Sequence, residues 1–357
     1  MENMVNKLFW KDKKVLITGN TGFKGSWCQS LLNFLGADTL GYSDRIPTSP
    51  SNFAEIKDDL HLKTIFGDIL DAELLKKTIN DFNPELIFHM AAQSLVKKSY
   101  KDPLETLNAN IIGTFNVINE CSQNGNSKVL INVTSDKCYE NNEENHAFKE
   151  NDPLGGKDIY SASKACSEII TNSYRESFLN NQNNCLKIAS VRAGNVIGGG
   201  DWSENRLIPD IIKSLDGKKL VIRNPDATRP WQHVLDPLSG YLRLAEQIFN
   251  KENKRLESGW NFGPDDKSAK SVEWILKKSV HFFSDLTYTI EKDLSFKESK
   301  YLKLDSSKAI QELGWLPKWK AKDALKKTLA WYANRKCQKF SSSQLVINDI
   351  KDYLNEK

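Results

Sequence analysis

The stretch that decides the fold is Thr18-Gly19-Asn20-Thr21-Gly22-Phe23-Lys24-Gly25. It follows an apolar run at 14–18, which is typical of a buried strand, and it precedes apolar residues at helical spacing over 26–35. In this GxxGxxG spacing the first glycine permits a tight turn, the second lets the backbone approach a pyrophosphate, and the third lets the helix pack on the strand. The helix N-terminus adds amide donors. A dinucleotide-binding turn is therefore predicted, with these candidate cofactor contacts: Gly19, Thr21, Gly22, Phe23, Lys24 and Gly25.

Strand-type and helix-type segments alternate from this turn to residue 191. Further apolar runs lie at 37–42, 62–66, 86–90, 129–133 and 186–191, and helix-type stretches lie at 72–82, 106–122 and 161–178. The alternation predicts an α/β fold with a Rossmann-type doubly wound parallel sheet. The runs are continuous because parallel strands are buried on both faces.

Beyond residue 191 the texture of the chain changes. Gly, Pro and Trp punctuate the sequence, which predicts a smaller, loop-rich C-terminal substrate domain at 192–357 beside a dinucleotide-binding domain at 1–191. Residues 236–257 are expected to pack back on the first domain. The polar stretch 341–343 is interpreted as a linker to a last helix.

Composition excludes several classes of protein. Among 357 residues, 50 Lys+Arg against 46 Asp+Glu give a net charge of only +4, which excludes a polybasic nucleic-acid binder and a disordered chain. The mean hydropathy is −0.52, and no apolar run approaches the length of a membrane span or a secretion signal. The six cysteines and five histidines show no metal-binding spacing, so we expect free thiols in a reducing cytoplasm and no metal site.

Two acidic residues are candidates for the adenosine end of the cofactor. Asp44 follows the second strand, where a carboxylate would bind the ribose hydroxyls and repel a 2′-phosphate. This favours NAD over NADP, although the neighbouring Arg45 weakens the preference. Asp68 ends the third predicted strand, where it could accept a hydrogen bond from the adenine amino group. For both residues, the alternative is a solvated loop charge.

Tyr160-Ser161-Ala162-Ser163-Lys164 is a Tyr-x-x-x-Lys pattern on the longest predicted helix. Residues i and i+4 share a helix face, so the Lys164 ammonium is expected to lower the pKa of the Tyr160 phenol. The phenolate could then take a hydroxyl proton while hydride leaves the same carbon. The pattern alone is common, but together with the glycine turn it indicates an oxidoreductase site.

Ser135-Asp136-Lys137 closes the strand at 129–133, at the sheet edge where such folds place their sites. Ser135 could bond the reacting hydroxyl. A plain dehydrogenase does not need Asp136 and Lys137, whereas elimination of water needs an acid for the leaving hydroxyl and a base for an acidified C–H. The pair therefore indicates chemistry beyond simple oxidation. A salt-bridged loop pair is the alternative.

These motifs resemble the extended short-chain dehydrogenase/reductase superfamily and, within it, the CDP-glucose branch of the NAD-dependent nucleotide-sugar 4,6-dehydratases. The resemblance covers nearly the whole chain and is carried by 18–27, 91–100, 134–140, 152–156, 192–202, 206–210 and 229–234. The dTDP-glucose branch typically has Thr-Asp-Glu where this chain has Ser135-Asp136-Lys137. Asn20 departs from the branch pattern, which has histidine there, and this departure bears on cofactor affinity rather than on chemistry.

The resemblance implies a closed cycle on a CDP-glucose substrate. Tyr160 takes the proton of the sugar O4, Ser135 bonds that oxygen, and Lys164 holds Tyr160 and the nicotinamide ribose. Hydride passes from C4 to NAD, Asp136 protonates the departing C6 hydroxyl as a base removes the C5 proton, and hydride returns to C6. Lys137 is either that base, if neutral, or an enolate stabiliser, if protonated. The product is a 4-keto-6-deoxy nucleotide sugar, a deoxysugar precursor for cell-surface polysaccharides such as O-antigen.

The resemblance also implies the remaining contacts. Arg206 and Arg229 would bind diphosphate oxygens, unless they are ordinary surface or ion-paired arginines, and Trp202 and Trp231 would either stack on the base or pack in the core. The other implied contacts are Ile69, Ala91 and Ala92 for the cofactor and Gln93, Asn195 and Leu207 for the substrate.

Two rival functions remain. One is a 4-epimerase, or a 4,6-dehydratase for another nucleotide sugar; the other is a non-enzymatic cofactor-binding protein, against which the intact candidate site argues. A homodimer is expected, built on the helices at 106–122 and 161–178, with no nucleic-acid or membrane partner.

Overall fold

The computed structural model describes residues 5–142, 144–179, 185–251, 253–291 and 301–355, and the following elements lie within them. The strands are β1 (Lys14–Thr18), β2 (Asp38–Ser43), β3 (Thr64–Phe66), β4 (Leu86–His89), β5 (Val129–Val133), β6 (Ala147–Phe148), β7 (Lys187–Arg192), β8 (Val196–Ile197), β9 (Val221–Ile222), β10 (Thr228–Pro230), β11 (Gln232–His233), β12 (Gly259–Asn261), β13 (Ala269–Ser271), β14 (Thr289–Ile290) and β15 (Lys303–Leu304). The α-helices are α1 (Lys7–Trp10), α2 (Phe23–Phe34), α3 (Asn52–Ile56), α4 (Ala72–Phe82), α5 (Val96–Lys101), α6 (Pro103–Leu107), α7 (Gly113–Gln123), α8 (Ile159–Tyr174), α9 (Leu207–Ser214), α10 (Leu235–Asn250), α11 (Val272–Phe282), α12 (Ser307–Leu313), α13 (Ala321–Lys336) and α14 (Ser342–Leu354). Short 3-10 turns span Asp136–Cys138, Lys254–Leu256 and Asp266–Ser268, and π-helical turns span Asn108–Ile112 and Arg175–Leu179.

A seven-stranded sheet forms the centre of the molecule, in the order β12-β7-β5-β4-β1-β2-β3. Every neighbouring pair in it is parallel. The predicted Rossmann-type doubly wound sheet is therefore confirmed. From β1 the sheet is extended towards one edge by β2 and β3 and towards the other edge by β4, β5, β7 and β12, so the order of the strands changes direction between β1 and β4. In such sheets, ligands bind in the crevice at the carboxyl ends of the strands beside this point.

Two elements differ from the sequence-based expectation. The helix predicted over 106–122 is composite, because α6, a π-helical turn and α7 follow one another without a break. The strand β12 lies outside the predicted α/β half, yet it pairs with β7 at the sheet edge. Three residues are too few to produce a recognisable apolar period, so the sequence pattern could not show this strand.

The C-terminal half contacts the sheet at several places. Helix α10 lies against β5, and α14 packs against α2 and α3. The stretch at 341–343 is not a linker: Ser341 caps α14 in a capping box with Gln344, and the helix begins at Ser342. The domain boundary at 191/192 stays a prediction, with β12 joining the N-terminal sheet from beyond it.

Asp236, in the first turn of α10, ties three elements together. One oxygen of its buried carboxyl accepts hydrogen bonds from the Lys318 amide at 2.7 Å and the Tyr353 hydroxyl at 3.0 Å. The other oxygen is buried without a partner among the described residues. Burial raises the pKa of Asp236 to about 7.

This raised pKa predicts a pH dependence of stability. The pKa of Asp236 is higher in the folded state than in the unfolded chain. The stabilising contribution of Asp236 is therefore complete below about pH 4 and is lost as the pH rises through about 7. Asp236→Asn should therefore destabilise the protein more at pH 5 than at pH 8, by about 2 kcal/mol of difference. Urea unfolding of both proteins at the two pH values measures this. Equal destabilisation by Asp236→Asn at pH 5 and pH 8 would contradict the raised pKa of Asp236.

Candidate active site

One open cleft of about 2190 Å³ runs along the carboxyl ends of the strands, between the sheet and the C-terminal elements. It is lined by every site residue that the sequence predicted: Gly19, Thr21, Gly22, Phe23, Lys24, Gly25, Asp44, Asp68, Ile69, Ala91, Ala92, Gln93, Ser135, Asp136, Lys137, Tyr160, Lys164, Asn195, Trp202, Arg206, Leu207, Arg229 and Trp231. Residues more than two hundred positions apart in the chain, such as Gly19 and Trp231, thus line one cleft.

The glycine turn has the geometry of a dinucleotide cradle. Gly19 has a φ of +74°, and a Cβ there would lie 2.6 Å from the Ala91 amide nitrogen. A Cβ on Gly25 would lie 2.1 Å from the Gly19 carbonyl oxygen, so helix and strand meet only because both residues are glycine. Gly22 caps α2 without a side-chain hydrogen bond. The first amides of α2 are therefore available to an anion, as a cofactor pyrophosphate requires.

Asn20 is turned away from this cradle. Its amide nitrogen donates to Gln29 at 2.8 Å and to Thr64 at 2.7 Å, and its oxygen accepts from Ser43 at 2.8 Å. The side chain is fully buried and braces the turn against β2 and β3. Its departure from the branch pattern therefore acts through the shape of the turn.

At the adenosine end, both predicted carboxylates have protein partners. Asp44 accepts a hydrogen bond from Arg45 at 2.6 Å, and Arg45 also bonds Glu105 at 3.2 Å. Asp68 accepts from the Leu70 amide at 2.9 Å. Arg45 thus binds two carboxylates, and its bond to Asp44 occupies one of the two oxygens that a ribose could use.

Tyr160 and Lys164 lie one turn apart on α8, facing β5. Lys164 donates to the Val133 carbonyl at 3.3 Å, and burial lowers its pKa to about 8. Burial raises the pKa of Tyr160 to about 12, and a hydrogen bond with Ser135 offsets part of that rise. The pKa of Tyr160 is therefore raised rather than lowered as the sequence predicted, because loss of solvation outweighs the Ser135 hydrogen bond and the charge of Arg206.

Asp136 presents an unpaired oxygen to the cleft. Its Oδ1 accepts from the Ser135 hydroxyl at 3.0 Å, whereas Oδ2 is buried with no partner among the described residues. Gly194 makes room for it, because a Cβ there would lie 2.7 Å from Oδ2. Burial raises the pKa of Asp136 against the opposing charges of Lys137 and Arg229. A carboxyl whose pKa is raised by burial and that keeps one unpaired oxygen is suited to donate a proton.

Three residues predicted to bind the substrate also have contacts within the protein. Trp202 and Trp231 are both buried; Trp231 donates to the Lys270 carbonyl at 2.9 Å, whereas the Trp202 indole nitrogen has no partner among the described residues. Gln93 lines the cleft, but its amide bonds Thr106 at 2.8 Å and Leu95 at 2.6 Å. It therefore shapes the loop after β4 and has little capacity left for a ligand.

The cations of the cleft converge on its centre. Arg206 is partly exposed and lies 3.6 Å from Asp201, and Arg229 is buried beside Asp136. Burial, followed by the nearby charges of Arg206 and Lys164, lowers the pKa of Lys24 to about 8. An anionic ligand is what such a cluster of cations would stabilise.

Comparison with known proteins agrees with this site. A model of the GDP-mannose 4,6 dehydratase family matches residues 16–328. The chain belongs to this family. It is 45% identical to the CDP-glucose 4,6-dehydratase of Salmonella typhimurium, over 92% of this chain and 93% of that protein.

Solved structures with low sequence identity to this chain share its fold. A dTDP-glucose 4,6-dehydratase from Bacillus anthracis in complex with NAD superposes with a TM-score of 0.75, at 22% identity over 91% of this chain and 97% of that one. A UDP-glucuronic acid 4-epimerase from Bacillus cereus, in complex with UDP-glucuronic acid and NAD, gives 0.77 at 22% identity over 90% and 99%. Within the described residues of this dehydratase-family chain, no helix has the length and apolarity to cross a membrane, and no cluster of potential metal ligands occurs.

Sequence reasoning missed four residues around the site: Tyr139, Glu168, Gly194 and Arg192. Glu168 could have been found, because it lies four residues beyond Lys164 and eight beyond Tyr160, on the same helix face. Gly194 faces Asp136, and Arg192 binds Glu168 and Tyr139; these contacts join segments far apart in the chain, which no local pattern encodes.

Proposed function

We propose that this chain is an NAD-dependent CDP-glucose 4,6-dehydratase that forms CDP-4-keto-6-deoxy-glucose. The observation that carries the proposal is the unpaired, buried Asp136 oxygen beside Ser135, Tyr160 and Lys164. A 4-epimerase needs no acid for a leaving hydroxyl, so this carboxyl favours elimination. The 45% identity to a CDP-glucose 4,6-dehydratase supports the choice of nucleotide.

The cofactor fits the glycine turn. We propose that the α2 amides hold its pyrophosphate, that Asp44 binds the adenosine ribose and that Asp68 binds the adenine. Other contacts with the cofactor would come from Ile69, Ala91 and Ala92, which line the cleft. When bound, NAD supplies the hydride acceptor and donor of the cycle.

Each catalytic side chain then has a defined task. Tyr160 accepts the O4 proton, Ser135 bonds that oxygen, and Lys164 holds Tyr160 in place. Asp136 gives a proton to the departing C6 hydroxyl, and burial supports this role because it raises the pKa of the carboxyl. Lys137 is half-buried on the same wall, where it can act on the C5 proton or on the enolate.

On the substrate side, we propose that Arg206 and Arg229 bind the diphosphate, with Asn195 and Leu207 beside it. Arg206 precedes α9 and Arg229 lies in β10, and both line the cleft, so the diphosphate would bridge them. The deoxysugar product would serve cell-surface polysaccharides such as O-antigen. The six cysteines are all free, which supports the cytoplasmic setting that the sequence predicts.

The test is incubation of the purified protein and NAD with CDP-, dTDP-, GDP- and UDP-glucose. We expect CDP-glucose to lose one water by mass, with enone absorbance in alkali and no net gain of NADH. Faster loss of water from another nucleotide sugar would show that this sugar, and not CDP-glucose, is the substrate. A product of unchanged mass and altered C4 configuration would identify an epimerase.

We also propose a homodimer built on α6 to α8. These elements and the π-helical turn after α8 expose large apolar side chains, as a subunit interface requires: Leu104, Ile112, Phe115, Ile169 and Phe178. Light scattering at micromolar concentration should show a dimer for the parent and a monomer for Ile112→Glu/Ile169→Glu. Leu316→Glu, which alters an exposed apolar residue elsewhere, should leave the dimer intact. A monomeric parent would overturn the proposal.

A further inference from the structure

A buried ion pair lies directly behind the candidate active site. The Arg192 guanidinium forks onto the Glu168 carboxylate, with Nε–Oε1 at 2.9 Å and Nη2–Oε2 at 2.8 Å. Both side chains are about 4% exposed. Glu168 is one turn beyond Lys164 on α8, and Arg192 ends β7, so the pair joins the catalytic helix to the sheet.

Glu168 also binds two hydroxyl groups. The Thr134 hydroxyl donates to one carboxylate oxygen, and the Ser190 hydroxyl donates to the other at 2.5 Å. Burial opposes the charge of Glu168, but Arg192 and these donors outweigh burial and hold its pKa below the ordinary value. The carboxylate is therefore a charged, fully bonded anchor for the strand end at Thr134.

Arg192 anchors the opposite side. Its Nη1 donates to the Tyr139 hydroxyl at 2.6 Å, and that hydroxyl donates to Asn261 at 2.7 Å. The Tyr139 ring stacks on Phe148 with centroids 4.9 Å apart. Tyr139 follows the 3-10 turn Asp136–Cys138, so the segment that carries Asp136 is held just after that turn as well.

We propose that the Glu168–Arg192 pair is a positioning device for the Ser135-Asp136-Lys137 triplet. Glu168 binds Thr134, which directly precedes the triplet, and Arg192 binds Tyr139, which lies two residues after it. Because Glu168 shares α8 with Tyr160 and Lys164, the pair fixes the distance between the acid for elimination and the base for oxidation. The inference rests on the proposed dehydratase function.

Two variants separate positioning from mere stability. Thr134→Val and Ser190→Ala each remove one buried hydroxyl from Glu168, but only Thr134 is joined to the triplet. We expect similar losses of urea midpoint, whereas kcat for water loss should fall about tenfold or more in Thr134→Val alone, with KM nearly unchanged. Thr134→Ser, which keeps the hydroxyl, should restore kcat. Equal kcat losses in Thr134→Val and Ser190→Ala, or none in either, would overturn the inference.

Tyr139→Phe tests the other bracket without depending on Thr134. It keeps the ring that stacks on Phe148 and removes the hydroxyl bonded to Arg192, so kcat should fall again at nearly constant KM. An unchanged kcat in this folded variant would show that Arg192 does not help to position the triplet. The parent enzyme is assayed alongside: an active parent with unaffected variants would overturn this inference alone, whereas a parent that dehydrates no nucleotide sugar would overturn the proposed function with it.

Discussion

Tyr160→Phe is expected to lower the rate of C4 oxidation by about 10²–10⁴-fold, the usual contribution of a general base. The substitution removes the phenol that is hydrogen-bonded to Ser135, and the buried ring is otherwise retained. Because the pKa of Tyr160 is raised to about 12 in the protein alone, the parent rate should increase with pH as the phenolate becomes more populated. Single-turnover absorbance of bound NADH after mixing with CDP-glucose measures the step.

Tyr241→Phe is the matched control for this experiment. Its hydroxyl is also buried, has no partner among the described residues and lies outside the cleft. This variant should oxidise substrate at the parent rate. If Tyr160→Phe oxidised substrate equally fast, the phenol would not be the base, and the assignment of the O4 proton would fail.

Asp136→Asn is expected to stop the reaction after oxidation. The amide keeps the size of the side chain and its contact with Ser135, but it cannot donate the proton that the leaving C6 hydroxyl needs. Water loss should slow by about 10²–10⁴-fold, while NADH still forms on the enzyme. Because the acid must be protonated, water loss by the parent should decline as the pH rises through the raised pKa of Asp136.

Asp236→Asn provides a control of the same kind. Asp236 is likewise a buried carboxyl with one unpaired oxygen, but it lies outside the cleft. It should alter stability and leave water loss unchanged. Normal water loss in Asp136→Asn would make Asp136 a structural carboxylate. Loss of oxidation in both Tyr160→Phe and Asp136→Asn would show that Asp136 organises the whole site, and the separation of roles would be wrong.

The sequence by itself determined the features that depend on neighbours in the chain. The glycine turn follows from spacing, because a strand, three glycines and a helix N-terminus form the cradle within eight residues. The alignment of Tyr160 with Lys164 follows from the helical period. The placement of Ser135, Asp136 and Lys137 at the sheet edge follows from the apolar run that ends at Val133.

Only the tertiary structure decided the properties that depend on burial. The unpaired Asp136 oxygen requires Gly194, which lies between β7 and β8, and the rise of the Tyr160 pKa requires burial of its phenol. The packing of Trp231 and the entry of β12 into the sheet likewise depend on residues far apart in the chain. Solvation and local field are set by all groups within several ångströms, whereas a sequence pattern reports only those within a few residues, so the chemistry of these side chains became definite only in the folded chain.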